Sequence, residues 1–151
     1  MASQHEVHTA KSLLSNMAET NRAFPNGVFA SKLDDQPEIT LSYGPTESPV
    51  RKKTLVGPSV VPNVTGFSQA VIPAGSFVDR HVHASKYETF LCLGGQGKFV
   101  VGRSEESSDE DQEIDLEAGC CITVAPQFWH SIRNTGDEDL TVLYFGVACS
   151  V

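Results

Sequence analysis

Two histidines one residue apart, His81 and His83, are followed five positions later by Glu88, and a third histidine, His130, stands further along the chain. Side chains alternate between the two faces of a strand, so on extended backbone His81 and His83 point the same way. A turn over residues 84–87 would let the next strand return Glu88 beside them. Two imidazoles and a carboxylate on one face suit a divalent transition metal. His130 falls in a later run of β character that could pair alongside. Taken alone, the H-x-H pair is equally compatible with two unrelated surface histidines on an edge strand.

The elements that must position these residues are mostly short strands. Runs of β-forming residues span 28–33, 38–43, 53–56, 67–72, 88–93, 97–101, 120–124, 130–134 and 140–147. Gly44-Pro45, Gly57-Pro58, Pro73-Ala74-Gly75, Gly94-Gly95-Gln96-Gly97 and Asn134-Thr135-Gly136 punctuate them. Many short strands with Gly and Pro between them predict an all-β sandwich or barrel. Only residues 8–24 read as a helix, with Ala10, Leu13, Leu14, Met17 and Ala18 at helical spacing. The expected organisation is a helical or extended segment over 1–37 and one β-barrel domain over 38–151.

The spacing around the histidines is more specific than the pair itself. Gly75, His81, His83, Glu88 and Gly95 stand at the intervals of the first signature of the cupin superfamily. Gly119, Ala125, His130 and Asn134 resemble the second. Ala125 takes the place of the family's proline, with Pro126 one position later, and Gln127 takes the place of a glycine; both are turn positions. The resemblance covers residues 65–147. It implies a small antiparallel β-barrel, the double-stranded β-helix or jelly roll, with a metal held inside by His81, His83, Glu88 and His130. Four such groups inside a barrel are costly to bury unless they are coordinated or hydrogen-bonded. Three neutral imidazoles and a carboxylate leave one or two positions open on a six-coordinate ion. Fe(II), Mn(II), Ni(II), Cu(II) and Zn(II) all accept this donor set. The resemblance also implies a homodimer with an interface built partly by N-terminal strands.

Strand parity extends the site. With Glu88 facing inward, Phe90 and Cys92 do so too, and with His130 inward so does Ile132. Phe77, Phe67 or Gln69, Trp129 or Phe128, and one of Tyr144 and Phe145 could complete the walls. Phe77, Phe90, Cys92, Trp129 and Ile132 are therefore the expected substrate-binding residues, and Glu88 the catalytic one, as a ligand or as a base. Arg80 and Tyr87 are expected outside. Arg51, Lys52 and Lys53 read as a solvated strand end, or else as a cluster that gates a carboxylate substrate. The expected function is metal-dependent dioxygenation of a small enol, thiol or phenolic molecule. The alternatives are redox-neutral isomerase, cyclase or lyase chemistry with the metal as Lewis acid, and a non-catalytic binding module.

Composition narrows the partners. The chain has 151 residues and a formal net charge of −8, from 19 acids and 11 bases. Glu105, Glu106, Asp109, Glu110, Asp111, Glu113, Asp115 and Glu117 form one acidic run with no base inside it. Outside the run 11 acids face 11 bases, so no basic excess is left to neutralise phosphates and no nucleic-acid partner is expected. The run lies between the two signatures and reads as a solvated loop. No apolar stretch of about 18 residues is present, which excludes a membrane-spanning helix. The N-terminus resembles no secretion signal. Cys92, Cys120, Cys121 and Cys149 are not spaced as a disulfide framework or a zinc site. A cytoplasmic protein with a small-molecule substrate is the expectation.

Overall fold

The computed structural model describes residues 24, 27–41, 49–58 and 60–149. The expected helix over 8–24 lies outside these residues except for its last position. Among these residues there are ten strands: β1 (Glu38–Leu41), β2 (Val50–Val56), β3 (Val64–Ile72), β4 (Phe77–His81), β5 (Lys86–Gly94), β6 (Gly97–Gly102), β7 (Gln112–Leu116), β8 (Cys121–Val124), β9 (Trp129–Asn134) and β10 (Leu140–Ala148). They form two antiparallel sheets. The six-stranded sheet has the order β1-β2-β3-β10-β5-β8 and the four-stranded sheet β4-β9-β6-β7. Among the described residues the ladders do not close into one barrel; the fold is two sheets packed face to face.

The alternation of each strand decides what lies between the sheets. On β5, Glu88, Phe90 and Cys92 are buried; on β9, His130, Ile132 and Asn134; on β3, Ser68, Ala70 and Ile72. Phe90 of the large sheet meets Phe99 of the small one at 5.1 Å between ring centroids. This aromatic contact, with Ile72, Leu116, Leu140 and Val142, makes the core. The chain crosses between sheets at the β5–β6 turn. Gly95 has φ +84° there, and a Cβ would lie 2.5 Å from the carbonyl of Asp139, so only glycine fits. Asn134 closes the same end: its amide donates to the carbonyls of Ile72 and Glu138, and its oxygen accepts from the Gly136 N–H.

Three details depart from the sequence reading. Residues 28–33 form no strand; they run along β2, where Ser31 Oγ donates to the Leu55 carbonyl, and end in a 3-10 turn at Leu33–Asp35. Without an inter-strand ladder, apolar residues such as Val28 stay exposed. The acidic run is not all loop. Its C-terminal part is β7, which turns Leu116 into the core and is paired along its length with β6. Lys98 on β6 bridges both Glu113 (3.1 Å) and Asp115 (2.6 Å), offsetting their mutual repulsion on the outer face. Those carboxylates draw the Lys98 pKa upward. Asp111, at the start of the strand, is buried against Arg80 at 3.0 Å. Arg80 also donates to the Ser104 carbonyl, so the loop is anchored to β4 at both of its ends.

Candidate metal centre

The four ligand candidates come from three strands and one turn. His81 ends β4, His83 sits in the turn that follows, Glu88 lies on β5 and His130 on β9. The register places His81 directly opposite His130. β5 belongs to the other sheet, so Glu88 approaches the pair from across the sandwich. One ligand atom from each residue lies within 4.8 Å of the other three, and the group could hold a metal ion. His81 and His130 have ring centroids 4.3 Å apart.

A register shift between Val78 and His81 places a bulge in β4. It turns both Val78 and His81 toward the interior, which strict alternation would not allow. The loop before β9 fixes His83: Gln127, at φ +66°, donates its N–H to the His83 carbonyl at 2.8 Å. This is the position where the signature has a glycine, and the left-handed backbone explains that preference.

Each ring is oriented by its own backbone. Nδ1 of His81 lies 2.7 Å from the Asp79 carbonyl, and Nδ1 of His130 lies 3.1 Å from that of Phe128. A carbonyl only accepts, so both Nδ1 atoms carry protons and both Nε2 atoms face the centre, as in metal-bound histidines. Phe99 stacks on the His130 ring at 5.8 Å with 6° between planes and holds it in place. Lys86 Nζ donates to Glu88 Oε1 at 2.8 Å, and His83 Nε2 donates to Oε2 at 3.0 Å.

Burial by itself pushes the Glu88 carboxyl up. The contacts with His130 and Lys86, with the charges of Lys86 and His83, outweigh that effect and hold it at about 2. Burial also lowers the pKa of His81 and of His83. At neutral pH the carboxylate is therefore ionised and these two imidazoles are neutral, which are the ligating forms.

The donor set fits a cation. His130 Nε2 lies 3.2 Å from Glu88 Oε2, while its Nδ1 faces a carbonyl. A neutral ring has one proton for these two acceptors, so one contact would be left as facing lone pairs inside the fold. A cation between Nε2 and Oε2 removes the conflict. The Nε2 atoms of His83 and His130 lie 3.0 and 3.2 Å from Glu88 Oε2, and all four ligand atoms fall within 4.8 Å of one another.

A cavity of about 260 Å³ opens onto these atoms. Of the five residues expected to bind substrate, Phe90 and Ile132 line it. Phe77, Cys92 and Trp129 are not among its lining residues. Phe77 lies on the far side of the β4 bulge, which reverses its parity relative to His81. Trp129 precedes His130 on β9 and faces the opposite way, beside Gly102. Cys92 does face inward, but four residues along a strand carry it about 13 Å from Glu88. Burial raises its thiol pKa, and Sγ rests 3.7 Å from the Gly94 carbonyl.

Lys52, Lys86 and Tyr144 line the cavity as well. Lys86 was hidden because β5 begins two residues earlier than the apolar run suggests, which gives it the parity of Glu88. Of Arg51, Lys52 and Lys53, read from the sequence as a solvated strand end or a gate for a carboxylate substrate, only Lys52 lines the cavity, because β2 begins at Val50 and alternation turns Lys52 inward. Tyr144 lies stacked on Phe90 at 5.8 Å between centroids, and burial, partly offset by a hydrogen bond with Ser68, raises its pKa to about 12. Arg80 points away from the cavity, as expected.

Comparison with known proteins places these observations. The sequence model of Cupin_2, the cupin domain, matches residues 68–146. An oxalate-binding protein of Thermotoga maritima is 33% identical over 78 residues, covering 51% of this chain and 57% of that protein, so the likeness spans little more than half of the relative. A crystal structure from the same organism, described as a predicted oxalate decarboxylase, superposes with a TM-score of 0.69 at 21% identity, over 80% of this chain and 99% of the other. The Fe(II) form of HppE in complex with substrate superposes with a TM-score of 0.62 at 16% identity, over 80% of this chain and 60% of the other.

Proposed function

The chain belongs to the cupin family, and from that footing we propose that it is a metal-dependent enzyme acting on a small organic molecule, with dioxygenation as its reaction type. One observation carries the reading: three imidazoles and an ionised carboxylate converge on one point at the wall of a cavity large enough for a small molecule. A pure binding module has no need of four convergent metal ligands, two of them buried and two half-buried. His81, His83, Glu88 and His130 would hold the ion, which is one of Fe(II), Mn(II), Ni(II), Cu(II) and Zn(II); Fe(II) suits oxygen chemistry best. A bound divalent ion would supply Lewis acidity and open coordination positions. The chain supplies the rest. Phe90, Ile132 and Val142 form apolar walls that exclude water and strengthen each electrostatic contact inside. Glu88 stays ionised as ligand or base, and Lys86 holds its carboxylate in place.

A redox-neutral reaction on a carbonyl substrate is the second reading. Glu88, Lys86 and a protonated Tyr144 face one cavity and could move and hold protons around an enolate. Metal analysis of purified protein with oxygen uptake against candidate enols, thiols and phenols separates the two. Bound iron with oxygen consumption supports dioxygenation; zinc or manganese with turnover and no uptake supports the second reading. His81→Ala and His130→Ala proteins that kept full metal content would overturn both.

We also propose a homodimer. Tyr87, Leu91 and Leu93 on β5 and Phe145 and Val147 on β10 are exposed on the outer face of the large sheet, an apolar surface that a second copy would cover. Size-exclusion chromatography with light scattering tests it, and a clean monomer at micromolar concentration refutes it.

A further inference from the structure

Three neighbouring cations on β2 meet different fates. Arg51 is ion-paired with Asp139 on the rim of the sandwich. Lys53 lies opposite Gln69 in the β2–β3 ladder and is not among the cavity residues. Lys52 between them turns toward the cavity, half-buried, with its ammonium 5.7 Å from the centroid of the Tyr144 ring. Among the described residues no carboxylate pairs with Lys52. Lys86, the other ammonium on the cavity wall, is already engaged by Glu88.

Charge summed over this wall leaves an excess. Glu88 cancels Lys86, so the uncompensated group is Lys52; a divalent ion at the four ligands adds two more positive charges. Most of the remaining lining, including Ala70, Ile72, Phe90, Val78, Ile132 and Val142, is apolar and cannot neutralise it. Positive charge concentrated in a half-enclosed, weakly polar space favours an anionic occupant over a neutral one of the same shape.

We propose that the cavity selects a small organic acid in its anionic form, and that Lys52 is the specificity-determining residue that pairs with its carboxylate. This deepens the metal-enzyme reading and rests on it for the second charged contact, since the acid would reach the metal with one end and Lys52 with the other. Tyr144 serves as a platform: stacked on Phe90, it fixes the direction in which the Lys52 ammonium extends.

The test uses three probes of matched size: malonate, its monoamide and its diamide, which carry two, one and no negative charges. Each is titrated calorimetrically into zinc-loaded wild-type and Lys52→Met protein, with zinc content measured before and after. Wild type is expected to bind malonate at least about 30-fold more tightly than the diamide. Lys52→Met is expected to lose about tenfold or more for malonate while binding the diamide and zinc as wild type does. Equal malonate affinity in the two proteins would overturn the assignment, because the metal alone would then be holding the acid. Inorganic phosphate binding as tightly as malonate, and as dependent on Lys52, would overturn the choice of a carboxylate. Should wild type fail to bind zinc, the metal-enzyme reading falls; malonate titrated into the metal-free protein still decides whether Lys52 holds an anion.

Discussion

Replacing Glu88 by glutamine keeps the shape of the side chain and removes its charge. In the metal-free protein the carboxylate is held at about 2 against an ordinary 4.5 by Lys86 and the histidines. At about 1.4 kcal/mol per pH unit, that difference corresponds to about 3 kcal/mol of stability. The sign follows from proton binding. Between pH 4.5 and about 2 the unfolded chain binds a proton at this position and the folded chain does not, so the contribution is full above 4.5 and disappears as pH falls toward 2. Urea unfolding of metal-free wild type and Glu88→Gln should thus differ by about 3 kcal/mol at pH 7. The gap should close between pH 4.5 and 2. A gap that stayed constant through that window would mean that Glu88 acts by packing alone, and the electrostatic account of the site would be wrong. The same substitution should weaken zinc binding at pH 7 by at least about 100-fold, since it removes both an anionic ligand and the charge that offsets the cation.

His81 and His83 have lowered pKa values, so the unfolded chain takes up their protons first as pH drops below about 6.5. Metal-free protein should lose stability over the first unit or two below that point, and His83→Gln should flatten the loss as read by thermal melts between pH 7 and 5. Asp111→Ala leaves the Arg80 guanidinium buried without its partner and should cost about 3 kcal/mol in chemical denaturation. The double variant Arg80→Met with Asp111→Leu should recover more than half of that loss, and failure to recover would show that the loop is held by something else. Gln127→Gly relieves a left-handed backbone worth about 1–2 kcal/mol, less the chain entropy glycine adds, so a small rise in melting temperature is expected with metal affinity unchanged. A fall in melting temperature would show that the Gln127 side chain contributes contacts of its own.

The ligand set was legible because its information is local. His81, His83 and Glu88 lie within eight residues of one another, so their spacing can be read along the chain, although the strand that was to align the two histidines ends at His81 and Glu88 comes from the other sheet. The strand pattern was legible for the same reason, through Gly and Pro at the turns and apolar runs between them. Strand β7 was missed because acidic residues mask its alternation: Ile114 and Leu116 face inward between carboxylates that Lys98 neutralises from the neighbouring strand. That compensation comes from a residue 15 and 17 positions away and leaves no mark within the run itself.

By itself, then, the sequence determined the donor types, their order and the all-β class, since these depend on residue identity and on spacing along the chain. Tertiary structure decided the contents of the cavity. A bulge in β4 turned Val78 inward and left Phe77 outside; the starting points of β2 and β5 turned Lys52 and Lys86 toward the ligands. Parity counts reliably only from a known strand start and only until the first bulge. Both of those are set by hydrogen bonds to a partner strand, and the partner is chosen when the two sheets pack.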